Sequence, residues 1–157
     1  MRRIDFIEEE IQFLREKGRY RQIRWLEGSS APWVKMNGER VLLLCSNNYL
    51  GLANDPRMKE AAMRAIEEWG CGAGGSRSIS GSLAIHRLLE ERLAQFHGCE
   101  SALLFNSGYS ANLSLIPALM GEGDLIYSDA LNHASIVDGC RLSKANLRIY
   151  PHLNMER

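Results

Sequence analysis

The chain carries no surplus of charge. Lys plus Arg and Asp plus Glu number 19 each, so the composition points to neither a nucleic acid nor an anionic membrane as a partner. It also lacks any stretch near the ~20 consecutive apolar residues that a membrane-spanning helix needs. The N-terminus, MRRIDFIEEE, turns acidic before an apolar segment begins, so no secretory signal is expected and a cytoplasmic location is the default. Cysteine is sparse and scattered. Cys45, Cys71, Cys99 and Cys140 show no Cys-x-x-Cys spacing, which removes a zinc knuckle and a redox pair and leaves reduced, mostly buried thiols as the expectation. What remains is an ordinary globular composition, with enough chain to bury roughly two-thirds of its unfolded surface.

The stretch around which the rest is organised is Ser101 to Asn112, SALLFNSGYSAN. An apolar run, Ala102 to Phe105, breaks at Asn106-Ser107-Gly108, and helical spacing begins at once, so the segment reads as strand, tight turn, helix. Gly108 lets the backbone bend and come close to a ligand. The N–H groups that follow would point out of a helix N-terminus, where aligned peptide dipoles favour a phosphate. A phosphate cup and a plain strand-to-helix turn are both compatible with this pattern.

N-terminal to that stretch, Asp5 and Glu8 resemble a capping box for a helix over about Phe6 to Lys17. Arg19 to Arg24 is a basic cluster, either a solvated surface or a guanidinium clamp for a carboxylate or phosphate. Trp33–Met36 and Glu39–Cys45 flank Asn37-Gly38 and predict a hairpin. Its second arm leads into Ser46-Asn47-Asn48-Tyr49-Leu50-Gly51-Leu52, a polar loop that either meets a ligand or satisfies its own backbone. Asp55-Pro56 then caps and starts a helix to Gly70.

Gly70 to Ser82, GCGAGGSRSISGS, fits G-x-G-x-x-G in spacing. Here, however, the glycines follow a helix instead of a strand and open no helix, which argues against a dinucleotide site. No Lys-Ser or Lys-Thr follows, so it is not a P-loop either. A glycine-lined loop with one cation, Arg77, is left, able to approach something bound. Ser82 is expected to cap a helix running to His97, with His86 and Glu90 as a structural pair.

After the central stretch, Leu113 to Met120 continue its helix to Gly121. Asp124–Ser128 reads as a strand that delivers Asp129 to Ser135 at its C-terminal end, where ligands bind in open α/β sheets. A helix over Ala134–Leu142 and a strand over Leu147–Tyr150 follow. This alternation predicts an α/β fold, a parallel-type sheet with crossover helices. His133 is the histidine best placed for chemistry, with a structural role as the alternative.

These pieces, in this order, resemble the α-oxoamine synthases, pyridoxal 5′-phosphate enzymes of fold type I. The matching motifs are Ser46 to Leu52, Gly70 to Gly81, Asn106 to Asn112 and Ser128 to Ser135. The resemblance implies a short N-terminal segment, residues 1–45, ahead of the N-terminal part of the cofactor-binding large domain, residues 46–157. It also implies an acyltransferase that joins an amino acid to an acyl-CoA with loss of carbon dioxide, acting as a homodimer.

By the same resemblance, the backbone N–H groups of Gly108 and Tyr109 cradle the cofactor's phosphate. His133 lies against its ring and near the substrate, Asn47 contacts the substrate, and Arg21 meets the acyl substrate's carboxylate. The loop Gly-Gly-Ser-Arg-x-Ile-Ser-Gly looks most like the biotin-pathway member, which uses L-alanine and a pimeloyl thioester. Asp129 to Gly139 would also suit a glycine acetyltransferase, and a non-catalytic cofactor-binding or dimerising fragment is a further alternative. The family's covalent lysine and its pyridine-nitrogen acid have no matching motif among these residues. Lys17, Lys35, Lys59 and Lys144 are the only lysines, and the chain is expected to be the N-terminal part of a longer enzyme, inactive alone.

Overall fold

The computed structural model describes residues 5–154 and divides into two compact units, one up to Gly72 and one from Ala73 onward. The boundary expected between residues 45 and 46 falls inside the first. That unit holds α1 (Asp5–Glu16), the strands β1 (Trp33–Met36) and β2 (Glu39–Leu42), one 3-10 turn (Leu52–Asn54) and α2 (Pro56–Trp69). β1 and β2 pair antiparallel with Trp33 opposite Leu42 and Met36 opposite Glu39. Asn37 and Gly38 both take positive φ, 54° and 80°, as a two-residue type I′ hairpin requires. Asp55 caps α2 by accepting from the Arg57 N–H, with Pro56 behind it at the first helical position, where its missing N–H costs nothing.

The second unit holds α3 (Ala84–His97), α4 (Gly108–Leu119), β3 (Leu125–Asp129), α5 (Ala134–Ser143) and β4 (Asn146–Tyr150). β3 and β4 are parallel, paired from Leu125–Asn146 to Asp129–Tyr150, and α5 is the crossover between them. α5 packs on α4 so closely that a Cβ on Gly139 would lie 2.7 Å from the Asn112 carbonyl oxygen. Buried Ser135, Gly139, Cys140 and Ser143 form the inner face of α5, small residues that allow two helix backbones to approach.

Several sequence expectations change here. Ala102–Phe105 joins no strand ladder among the described residues. Side chains take its backbone groups instead: the Leu104 N–H donates to Glu90 Oε1 at 2.8 Å, and the Leu104 carbonyl accepts from Arg77 Nη1 at 3.3 Å. Ser82 does not cap α3. The cap position is Leu83, whose N–H donates to His86 Nδ1 at 3.1 Å, so His86 turns back to the helix start and Glu90 is left to Arg77.

The thiols differ as well, because Cys45, Cys71 and Cys99 are exposed and only Cys140 is buried. Cysteine composition reports redox context and says nothing about which face of an element a thiol occupies. Among the described residues, no helix is long and apolar enough to cross a membrane.

Candidate functional site

The site builds from two helix starts in the second unit. Ser107 is extended, at φ −159° and ψ 156°, and caps α4. Its hydroxyl accepts from the Ser110 N–H at 3.0 Å and donates to Ser110 Oγ at the same distance. The Ala111 N–H goes to the Ser107 carbonyl. Gly108 and Tyr109 therefore keep the outward N–H groups that helix geometry leaves without a partner, and no group among the described residues accepts from them. Two N–H donors at the positive end of a helix dipole suit an anion.

The second helix start is His133, which caps α5 by accepting from the Ser135 N–H. The rings of Tyr109 and His133 meet edge to face with centroids 6.4 Å apart. A hydrogen bond from the Tyr109 hydroxyl to Asp138 Oδ2 ties the head of α4 to α5. That bond, and secondarily burial, holds the phenol above its ordinary value of 10.0. Behind His133, the Asp129 carboxylate accepts from the N–H groups of Leu131 and Leu153 and pairs with His152 Nδ1 at 3.0 Å. The Leu131 N–H is the first cause holding it below its ordinary value. β3, the loop ahead of α5 and the turn after β4 thus share one anion, which steadies the loop that leads to His133.

The glycine loop folds against itself. A Cβ on Gly81 would sit 1.9 Å from the Gly75 carbonyl oxygen, and the Gly81 N–H donates to the Ser76 carbonyl at 2.8 Å. The expected close approach is thus one of loop backbone to loop backbone. Arg77 is not a free cation either. Its Nη1 and Nη2 donate to Glu90 at 2.8 and 3.2 Å, and its Nε donates to Ser82 Oγ at 3.2 Å. Glu90 and Arg77 together hold Leu104, three residues before the Ser107 cap. A cavity of about 550 Å³ lies between this loop and residues 103–106, lined in part by Ser76, Arg77, Leu104 and Asn106.

Arg77, the first cause, and the Leu104 N–H keep the Glu90 carboxyl below its ordinary value of 4.5. A lowered carboxylate stabilises the fold at pH above its unfolded value, and that stabilisation is lost as pH falls through the folded value. The melting temperature of Glu90→Gln is therefore expected to lie below wild type at pH 7 and to converge on it under acid. Glu91→Gln, which removes an exposed pair with Arg87, is expected to differ little at either pH. Melts of the three proteins from pH 7 to 3 check this, and a constant gap between Glu90→Gln and wild type would count against it.

Of the residues singled out in the sequence, Gly108, Tyr109 and His133 come together in the second unit. Arg21 and Asn47 belong to the first. Arg21 is exposed in a segment without regular structure, and Asn47 is exposed with its Oδ1 accepting from the Tyr49 hydroxyl at 3.2 Å. Its neighbour Asn48 serves the loop itself, accepting from the Ala53 N–H and donating to the Ser30 carbonyl. Sequence reasoning passed over Ser107, Asn112, Ser135 and Asp138 as individuals. Ser107 had a readable signal as a hydroxyl one residue ahead of a helix start; the others depend on how α4 and α5 pack.

Lys144, the only lysine of the second unit, closes α5 at its C-terminal end with φ 60°. Ten helical residues separate it from His133, roughly 15 Å along the axis, so it stands away from the paired helix starts.

The parallel β-α-β unit beside these helix starts is α/β, and the chain matches the α/β transferase domain of fold type I. The chain belongs to the aminotransferase class I and II family, whose model matches residues 39–157, and the relatives and solved structures it resembles are α-oxoamine synthases. It is 57% identical over 146 residues to an 8-amino-7-oxononanoate synthase of Geobacter sulfurreducens, covering 93% of this chain and 37% of that protein. A protein of the same name from Thermoanaerobacter pseudethanolicus is 52% identical over 153 residues, covering 98% and 39%. Among solved structures, the serine palmitoyltransferase of Sphingomonas wittichii superposes with a TM-score of 0.84 at 35% identity, covering 98% of this chain and 39% of that one. The chain thus spans less than two-fifths of the length of these relatives.

Proposed function

We propose that this chain forms part of a cytoplasmic, homodimeric, pyridoxal 5′-phosphate-dependent acyltransferase. The reaction would condense L-alanine with pimeloyl-CoA, or another pimeloyl thioester, and release carbon dioxide to give 8-amino-7-oxononanoate for biotin biosynthesis. The reading is carried by one juxtaposition: two unpartnered N–H groups at the start of α4 beside the histidine that caps α5, in a chain 57% identical to a protein of that activity.

The donor set fits a phosphate monoester. The Gly108 and Tyr109 N–H groups would bind two of its oxygens, and the positive end of α4 would offset its charge. When bound, the cofactor supplies an electron sink that stabilises negative charge at the α-carbon of the amino acid. His133 would lie against the ring and near the substrate, held there by its own cap hydrogen bond and by the edge of Tyr109. Asn47 would contact the substrate. The Arg21 guanidinium would meet the terminal carboxylate of the acyl chain, a planar pairing that arginine suits better than lysine. No lysine of the second unit stands where it could hold the cofactor covalently, so the activity proposed is that of the whole polypeptide.

Release of CoA from pimeloyl-CoA with L-alanine tests the reading, using the protein expressed from its own gene and loaded with cofactor. Acetyl-CoA with glycine, and palmitoyl-CoA with serine, serve as competing arms. The expected result is faster turnover of the pimeloyl and alanine pair, with 8-amino-7-oxononanoate identified by mass. Preference for either competing arm would overturn the assignment of substrates.

A further inference from the structure

The chemistry of His133 depends on which ring nitrogen carries the proton, and the side chains of Asn112 and Ser135, given no role above, bear on it. The Ser135 N–H donates to His133 Nδ1 at 3.2 Å. A backbone amide can only donate, so at this distance it weakly favours a lone pair on Nδ1. Ser135 Oγ lies 2.7 Å from the same nitrogen and accepts from Asn112 Nδ2 at 2.9 Å. With a lone pair taken by Asn112, the hydroxyl turns its proton to Nδ1. The backbone donor favours this arrangement over the reverse one that an amide and a hydroxyl alone would leave open, and the shorter hydroxyl contact is what holds it.

This relay has little freedom. Ser135 is 1% exposed, so water does not compete for its hydroxyl, and the contact of Gly139 with the Asn112 carbonyl holds the two helices in register. His133 Nε2 has no hydrogen-bond partner among the described residues, and the ring is exposed.

We infer that Asn112 and Ser135 are positioning residues that fix His133 as the neutral tautomer protonated on Nε2. The ring then offers a bound ligand a donor and no acceptor. At that atom the site selects an acceptor oxygen, such as a phenolate, carboxylate or carbonyl, and rejects an ammonium or amide N–H. This rests on the reading that His133 faces a ligand, but the tautomer itself can be measured without one.

The test is a long-range proton–nitrogen correlation spectrum of histidine-labelled protein, expressed from its own gene and freed of cofactor. His133 is assigned by the signal missing in His133→Gln. Wild type is expected to show the Nε2–H tautomer alone. Asn112→Asp keeps the shape but replaces the donor with an acceptor, so the Ser135 hydroxyl should turn to the carboxylate and a proton should appear on Nδ1. Ser135→Ala, which leaves only the backbone donor, is expected to give a mixture of tautomers. A wild-type spectrum with Nδ1–H overturns the inference, as does either folded variant that keeps the pure Nε2–H pattern. The wild-type result alone decides if neither variant folds. Adding pyridoxal phosphate to the same sample separates the two readings: an unmoved His133 signal would remove its ligand role and leave the tautomer result standing.

Discussion

Gly108→Pro is expected to weaken binding of pyridoxal 5′-phosphate by roughly 10- to 150-fold while α4 stays folded. A hydrogen bond to a charged group is worth about 1.5–3 kcal/mol, and about 1.4 kcal/mol is tenfold in affinity. Proline is favoured at the first helical position because the N–H it lacks has no intrahelical acceptor. Gly108 occupies that position after the Ser107 cap. Ser107 already has the extended backbone, φ −159° and ψ 156°, that a residue before proline prefers. A side chain at Gly108 would meet nothing within 4 Å. The substitution therefore removes one proposed phosphate donor and little else. Gly108→Ala, which keeps the N–H, is the control and is expected to bind nearly as wild type. Fluorescence titration with the cofactor, beside circular dichroism, measures both. Equal affinity of Gly108→Pro and Gly108→Ala would remove the N–H of Gly108 from the phosphate site.

The second large effect is expected at Gly81. Its added Cβ would fall 1.9 Å from the Gly75 carbonyl oxygen, 2.6 Å from the Gly75 carbonyl carbon and 2.9 Å from the Ser76 carbonyl carbon. All three are backbone atoms, so no rotamer change relieves the overlap. Gly81→Ala must open the loop, which would displace Arg77 and release Glu90 from its partner. Overpacking of this kind costs about 1–3 kcal/mol and at times more. Gly121→Ala in the same unit meets nothing within 4 Å and is expected to be close to neutral. Thermal melts of the two variants compare them directly. A melt of Gly81→Ala superimposable on that of Gly121→Ala would show that the 75–81 contact is not required.

These outcomes separate what local pattern can carry from what it cannot. The Asn-Gly hairpin, the Asp55-Pro56 helix start and the β3–α5–β4 alternation follow from near-neighbour rules, because turn dihedrals, caps and hydrophobic period are set within a few residues. The helix starts that carry Gly108, Tyr109 and His133 were legible for the same reason, and their site roles came from the resemblance of the motifs around them. Ala102–Phe105 was read as a strand because an apolar run resembles one. A ladder, however, needs a neighbour, and here Arg77 and Glu90 supply the hydrogen bonds instead. The loop glycines were read as room for a ligand. At Gly81 the space is filled by the chain itself, which no composition can reveal.

By itself the sequence determined that this is an α/β chain with a helix starting at the Ser107-Gly108 turn and a histidine in the loop that follows a strand. It did so because backbone sterics and capping act over one helical turn. Only the tertiary structure decided that Glu90 bonds to Arg77 while His86 bonds to the Leu83 N–H, and that Tyr109 is tied to Asp138. It alone placed Asn112 behind Ser135 and His133. The Glu90, Tyr109 and Asn112 pairings join residues 13 to 29 positions apart, and such partners are chosen by how α3, α4 and α5 meet, a geometry fixed by packing and not written in any one segment.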